Sequence, residues 1–205
     1  MSSSPFPPNR PKFLADRYRD DRPLYPSSLF SALALEIQTG GPRYFLDLGC
    51  GTGQSTRSFL DLGLGIDGIG VDPDEAMIEA ARSREPTVEF RSGSAESIPI
   101  EGNSVDLVLV GSAVHWFDLD RAKPEIERVL RPEGLLFVFE YQFPKCLDSP
   151  ELAERIRRRF NLEWRAPGQR PRGTLKEILS PFRNDPGWEI RSENRPEWNE
   201  SLDLD

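Results

Sequence analysis

Apolar positions along the chain follow two rhythms. Short segments with strand patterns stand at Tyr44 to Leu48, Ile66 to Val71, Val88 to Arg91, Val105 to Val110 and Leu135 to Tyr141. Val105 to Val110 is nearly all apolar, as a strand buried on both faces should be. Between them the spacing changes to three and four. Leu29, Leu33 and Ile37 share one face of a helix that Ser27 or Ser28 can cap. A second helix is predicted over Ser55 to Leu62, and a third over Glu75 to Arg82, with Asp74 as its cap and Met77, Ile78 and Ala81 on one face. A fourth runs from Leu119 to Leu130 and stops at Arg131-Pro132-Glu133-Gly134. Strands alternate with helices five times, which predicts an α/β domain: a doubly wound, mostly parallel sheet with helices on both faces.

Past Pro150 the pattern weakens. Glu151 to Phe160 reads as a basic helix, Thr174 to Leu179 as a short helix, and Trp188 to Arg191 as a sixth strand. The expected organisation is a Ser- and Pro-rich disordered tail over 1–12, one domain over 13–192 and a polar tail over 193–205.

Composition narrows the partners. A chain of 205 residues with 37% hydrophobic and 29% charged positions can bury a sizeable core. The net charge of −8 argues against gripping nucleic acid through phosphates. No apolar run approaches a membrane span, and Met1 to Arg10 has no apolar leader core. Two cysteines, Cys50 and Cys146, with Cys50 in a glycine turn, suit reduced thiols and a cytoplasmic setting. No metal-ligand spacing stands out.

The chemistry starts at Asp47-Leu48-Gly49-Cys50-Gly51-Thr52-Gly53. Here a strand runs into a glycine-rich turn and then into a helix that opens at Gln54. Such a turn offers bare backbone and helix N–H groups to a ligand. A dinucleotide fingerprint wants a third glycine where Gln54 stands, which argues against an NAD site. Asp72 ends the second strand, 25 positions after Asp47, where a carboxylate can accept hydrogen bonds from two ribose hydroxyls. Ser92 to Glu96 follows the third strand, and Gly111 to Asp118 follows the fourth. The latter holds the single histidine, His115, beside Trp116. His115 is a candidate general base, and a packed structural pair is the competing reading. The arginines from Arg155 to Arg172 read mostly as a solvated face, although a carboxylate would suit an arginine fork.

These residues together resemble the class I methyltransferases that use S-adenosylmethionine (SAM), of the methyltransferase type 11 group. Tyr18-Arg19-Asp20-Asp21-Arg22-Pro23-Leu24-Tyr25-Pro26, His115-Trp116-Phe117-Asp118 and Arg128-Val129-Leu130-Arg131-Pro132 are similar to trans-aconitate-methyltransferase-like proteins. The resemblance implies a Rossmann-like sheet, here without its last strand, and methyl transfer to a small molecule such as a carboxylate. It places Gly49, Gly51 and Gly53 against the methionine part of SAM, with Asp47 near its amino group. Asp72 would take ribose, Ala95 and Glu96 would border adenine, and Gly111 and Ser112 would flank the sulfonium. His115 and Trp116 would face the acceptor. Tyr18, Arg22 and Tyr25 would form a lid over the cofactor, Tyr25 also reaching the acceptor. The shortened sheet motivates two further expectations: self-association through an uncovered edge, and, as the alternative function, a non-catalytic SAM-binding protein.

Overall fold

The computed structural model describes residues 24–140, 151, 154, 174–191 and 193. Its centre is a five-stranded sheet, β1 (Tyr44–Leu48), β2 (Asp67–Asp72), β3 (Glu89–Ser92), β4 (Val105–Gly111) and β5 (Leu130–Phe139). The order across the sheet is β3-β2-β1-β4-β5, and every pairing is parallel. Parallel neighbours need crossovers, and helices supply them. These are α2 (Gln54–Leu60), α3 (Glu75–Arg84) and α4 (Leu119–Val129), with α1 (Ser31–Gln38) preceding β1 behind a 3-10 turn at Ser27–Phe30. The doubly wound α/β fold expected from the hydrophobic rhythm is the one observed.

Side-chain alternation along β1 explains the two cores. Phe45 points to one face, where it meets Phe59 of α2, and Phe30, Leu107, Leu109 and Phe139 complete that layer. Leu46 and Leu48 point to the other face with Val108, Val110, Ile126 and Phe182. Both layers are closed to solvent around β1 and β4. The glycines of β2 belong to this packing. A methyl group at Gly68 would lie 2.4 Å from the Phe45 ring, so the ring occupies the space the missing side chain leaves.

Two expectations need correction. The fourth helix ends at Val129 rather than Leu130, and Leu130 already opens β5. The predicted stop at Arg131–Gly134 sits inside the strand as an irregularity. Pairing jumps from Val105↔Leu130 to Leu107↔Leu135, so the extra residues bulge out, with Glu133 at φ 63°. Asp106 anchors this end by accepting from Arg131 Nη1 at 2.9 Å and from the Tyr44 N–H at 3.0 Å. Trp188 to Arg191 is not a strand. Two short helices, α5 (Leu175–Ile178) and α6 (Ser180–Arg183), precede it. Trp188 stacks edge-on against Phe182 at 4.9 Å and donates its indole N–H to Glu127 of α4 at 2.8 Å. An apolar aromatic beside Ile190 reads as strand by propensity, and tertiary packing on α4 overrides it. The expected basic helix lies almost wholly outside the described residues, and the Arg170 and Arg172 loop entirely so. Among the described residues, no helix is long and apolar enough to cross a membrane.

Candidate functional site

β2 and β4 flank β1 on opposite sides, so the chains leaving β1 and β4 diverge at the carboxyl ends of the strands. That divergence opens a crevice in doubly wound sheets. The turn after β1 lines it. The N–H groups of Gly49 and Cys50 both donate to the Val71 carbonyl, at 2.8 and 3.1 Å, which folds the turn back over β2. Gly49, Gly51 and Gly53 all have positive φ, at 74°, 54° and 83°. Their roles differ. A methyl group at Gly49 would stand 2.5 Å from Cβ of Ala113 and 3.6 Å from the Phe117 ring, so Gly49 is needed for packing against the loop after β4. A methyl group at Gly51 would meet no atom within 4 Å, so Gly51 borders open space.

Asp72 stands beside that space. Its Oδ2 accepts the Gly51 N–H at 2.9 Å, and its Oδ1 accepts the Asp74 N–H at 2.9 Å. Asp74 in turn caps α3 by accepting the Ala76 N–H at 3.0 Å. Burial pushes the Asp72 carboxyl up to about 6, against the two backbone donors, with Asp74 and Asp47 adding repulsion. Each carboxylate oxygen has two lone pairs, so each retains one acceptor position beyond its backbone partner. The Cys50 thiol lies between the acids, and burial first, then Asp72 and Asp47, push it well up, so it stays a thiol.

Asp47 stands behind the glycine turn. Its side chain has no exposed surface. Oδ2 accepts hydroxyl hydrogens from Ser55 at 2.6 Å and Thr56 at 2.5 Å, both in the first turn of α2. Burial nevertheless pushes this carboxyl up to about 6, with those hydroxyls pulling the other way. Asp47 therefore ties the end of β1 to the start of α2 and fixes the glycine turn from behind. Ser55 and Thr56 escaped the sequence reading, although a hydroxyl pair opening a helix just after an acid-tipped strand was a usable signal.

The loop after β4 closes the crevice opposite. Gly111 passes so close that a methyl group there would lie 3.0 Å from Phe139 and 3.1 Å from Ser55. Ser112 follows at φ 53° and accepts a hydrogen bond from the Tyr25 hydroxyl at 3.1 Å. Tyr25 is buried. Its ring packs edge-on against Phe139 at 4.7 Å, and its N–H donates to Ser58 Oγ of α2 at 2.8 Å. His115 and Trp116 occupy a 3-10 turn, Val114–Trp116, with ring centroids 4.9 Å apart, and both are half-buried. Phe117, unassigned from sequence, is the ring that covers Gly49.

On the β3 side, Ala95 is buried in the core, so its side chain borders other apolar groups. One oxygen of Glu96 accepts the Asp118 N–H at 2.9 Å, which joins this loop to the start of α4. Tyr18 and Arg22 lie outside the described residues.

Comparison with known proteins bears on this arrangement. Residues 46–138 match the family model described as a methyltransferase domain. An uncharacterized methyltransferase of Mycobacterium tuberculosis is 43% identical over 119 residues, covering 58% of this chain and 46% of its own length. The probable S-adenosylmethionine-dependent methyltransferase CRG1 of Saccharomyces cerevisiae is 31% identical over 146 residues, 68% of this chain and 49% of its own. The chain spans about half the length of these curated relatives. A solved structure from Methanococcus maripaludis, a candidate S-adenosyl-L-methionine-dependent methyltransferase, superposes with a TM-score of 0.60 at 22% identity, over 90% of this chain and 85% of that one, which is a likeness of fold. The segment from β1 to β5, which carries the glycine turn, Asp72 and the Ser112 loop, is thus a match to the methyltransferase domain family on the class I methyltransferase fold.

Proposed function

We propose that this chain binds SAM and transfers its methyl group to a small-molecule acceptor. The observation that carries the reading is the open space at Gly51 beside the half-buried carboxylate of Asp72. A nucleoside fits this pair of groups. Its ribose presents two neighbouring hydroxyl donors, and Asp72 has one acceptor position left on each oxygen. The amino-acid part then lies along the Gly49–Gly53 turn, where bare backbone allows close approach. Asp47 acts on it only through the turn. The names of the relatives support a SAM ligand over NAD, as does Gln54 in place of a third fingerprint glycine.

When bound, SAM supplies a methyl group already activated by its positively charged sulfur. The protein's part is to align the acceptor in line with it, which makes orientation the main source of acceleration. Gly111 and Ser112 stand at the strand end nearest the turn, and Trp116 supplies an apolar wall. A carboxylate acceptor is ionised at neutral pH and needs no base. An alcohol or amine acceptor needs its proton removed, and His115 is the candidate base for that.

Calorimetry with SAM, S-adenosylhomocysteine (SAH) and NAD tests the reading directly. Binding of the first two and not the third is expected. Tritium transfer from labelled SAM to a panel of small carboxylic acids then reports the acceptor. Heat with NAD alone, or with none of the three, refutes the proposed ligand. SAM binding without transfer to any acceptor in metabolite extracts favours a binding protein over an enzyme.

A further inference from the structure

Three non-glycine residues among those described have positive φ: Asn103, Ser112 and Glu133. Asn103 and Glu133 lie before β4 and in the β5 bulge, at the end of the sheet away from the crevice. Ser112 alone sits at the carboxyl ends of the strands. An L-residue held at φ 53° stores backbone strain, and such positions persist only where neighbours over-determine them.

The neighbours of Ser112 come from three elements. Its N–H donates to the Phe139 carbonyl at 2.7 Å, which extends the β4–β5 ladder by one bond. Its hydroxyl accepts from Tyr25, whose ring rests on the same Phe139. Tyr25 is itself fixed by its backbone N–H to Ser58 of α2, and Ser58 donates onward to the Gln54 carbonyl in the first turn of that helix. Tyr25 thus joins α2 through its backbone, and β5 and the loop after β4 through its phenol. That loop bears on the glycine turn through Ala113 and Phe117, which pack over Gly49.

We propose that Tyr25 and Ser112 form a positioning pair, in which the phenol hydroxyl holds Ser112 in its left-handed conformation and so keeps the loop after β4 seated against the ligand-binding turn. The pair acts through the position of that loop. The inference rests on the SAM-binding reading of the crevice. Loss of the hydroxyl lets Ser112 relax toward negative φ, and Ala113 and Phe117 then shift off Gly49.

The test is a double-mutant cycle read by SAH calorimetry and thermal unfolding. Tyr25→Phe keeps the ring and removes the hydroxyl. It is expected to weaken SAH binding about five- to tenfold, the equivalent of one lost hydrogen bond. Ser112→Gly removes the acceptor but adopts positive φ without support, so it is expected to keep more SAH affinity than Ser112→Ala, which loses the same hydroxyl. In that background Tyr25→Phe should cost less than it does in the wild type. Ser112→Ala keeps the strain and loses the bond, so it should match Tyr25→Phe, and it serves if the Tyr25 variant fails to fold. Unchanged SAH affinity in Tyr25→Phe or Ser112→Ala overturns the pair, as does a full Tyr25→Phe effect persisting in the glycine background. A fall in melting temperature without a fall in affinity shows a merely structural contact and also overturns it. Wild-type protein that binds no SAH refutes the ligand reading itself, which separates that failure from these.

Discussion

Asn in place of Asp47 should stabilise the protein at neutral pH, although the wild-type carboxylate accepts two hydroxyl donors. Burial moves this carboxyl from 3.8 to about 6. A folded-state value above the unfolded one means the folded chain holds the proton more tightly. Below about pH 3 the group is protonated in both states and contributes no penalty. As pH rises toward 6 the unfolded chain releases its proton first, so stability falls; above 6 both states are ionised and the loss is constant. Each pH unit of displacement is equivalent to about 1.4 kcal/mol, so ionised Asp47 lowers stability by roughly 3 kcal/mol at pH 7. Asn removes that ionisation. Because both hydroxyls reach the single oxygen Oδ2, the amide oxygen can accept both, and the amide nitrogen takes the place of Oδ1. Burying that nitrogen offsets some of the gain. The pH dependence is therefore the sharper readout. Urea unfolding of both proteins at about pH 3 and pH 7 should show the difference moving in favour of Asn by roughly 3 kcal/mol. Asp72 shares the window and its own burial is common to both proteins, while losing the repulsion from Asp47 lowers its carboxyl a little and adds to the same trend. A difference independent of pH, or one that moves toward the wild type as pH rises, refutes the account of Asp47 as a desolvated acid.

The remaining tests address the crevice. Asp72→Asn should weaken SAH binding about ten- to a hundredfold, since bonds to a charged acceptor exceed those to a neutral one. Wild-type affinity should fall as pH drops through about 6, where Asp72 takes up its proton, while the variant stays flat by calorimetry. Gly49→Ala and Gly51→Ala separate fold from site. Gly49→Ala places a methyl group 2.5 Å from Ala113 and should lower stability by about 2 kcal/mol or more in denaturant unfolding. Gly51→Ala meets nothing in the protein and should lose only about 1 kcal/mol from its positive φ, yet reduce SAH affinity more than about tenfold.

Sequence periodicity reveals the sheet because both rhythms are local. Every residue of Val105–Val110 except Asp106 is apolar, and β4 is buried on both faces. The glycine turn and Asp72 are equally legible, since each sits at a strand's end. Contacts that cross the chain are not. Tyr25 and Ser112 are 87 positions apart, and nothing local in either residue announces the bond. Asp47 illustrates the subtler limit. Its position beside the turn is evident from spacing, but whether its carboxylate faces the crevice or α2 depends on which face of β1 it occupies. Phe45, two positions earlier, is buried under α2, so alternation directs Asp47 the same way. Trp188 was misread because a short apolar run has no period with which to distinguish a strand from a docked aromatic.

The central place of β1 has a kinetic consequence. Its two edges are filled at different times during synthesis: β2 follows within about twenty residues, whereas β4 starts at Val105, some sixty residues on. Until then the emerging chain carries β1 with one bare edge and with Leu46 and Leu48 lacking Val108, Val110 and Ile126. Parallel pairing over such separations is slow, and unpaired edges invite association with other nascent chains. The interval between translation of the first strand and arrival of the fourth is accordingly the window in which this polypeptide most needs chaperone protection.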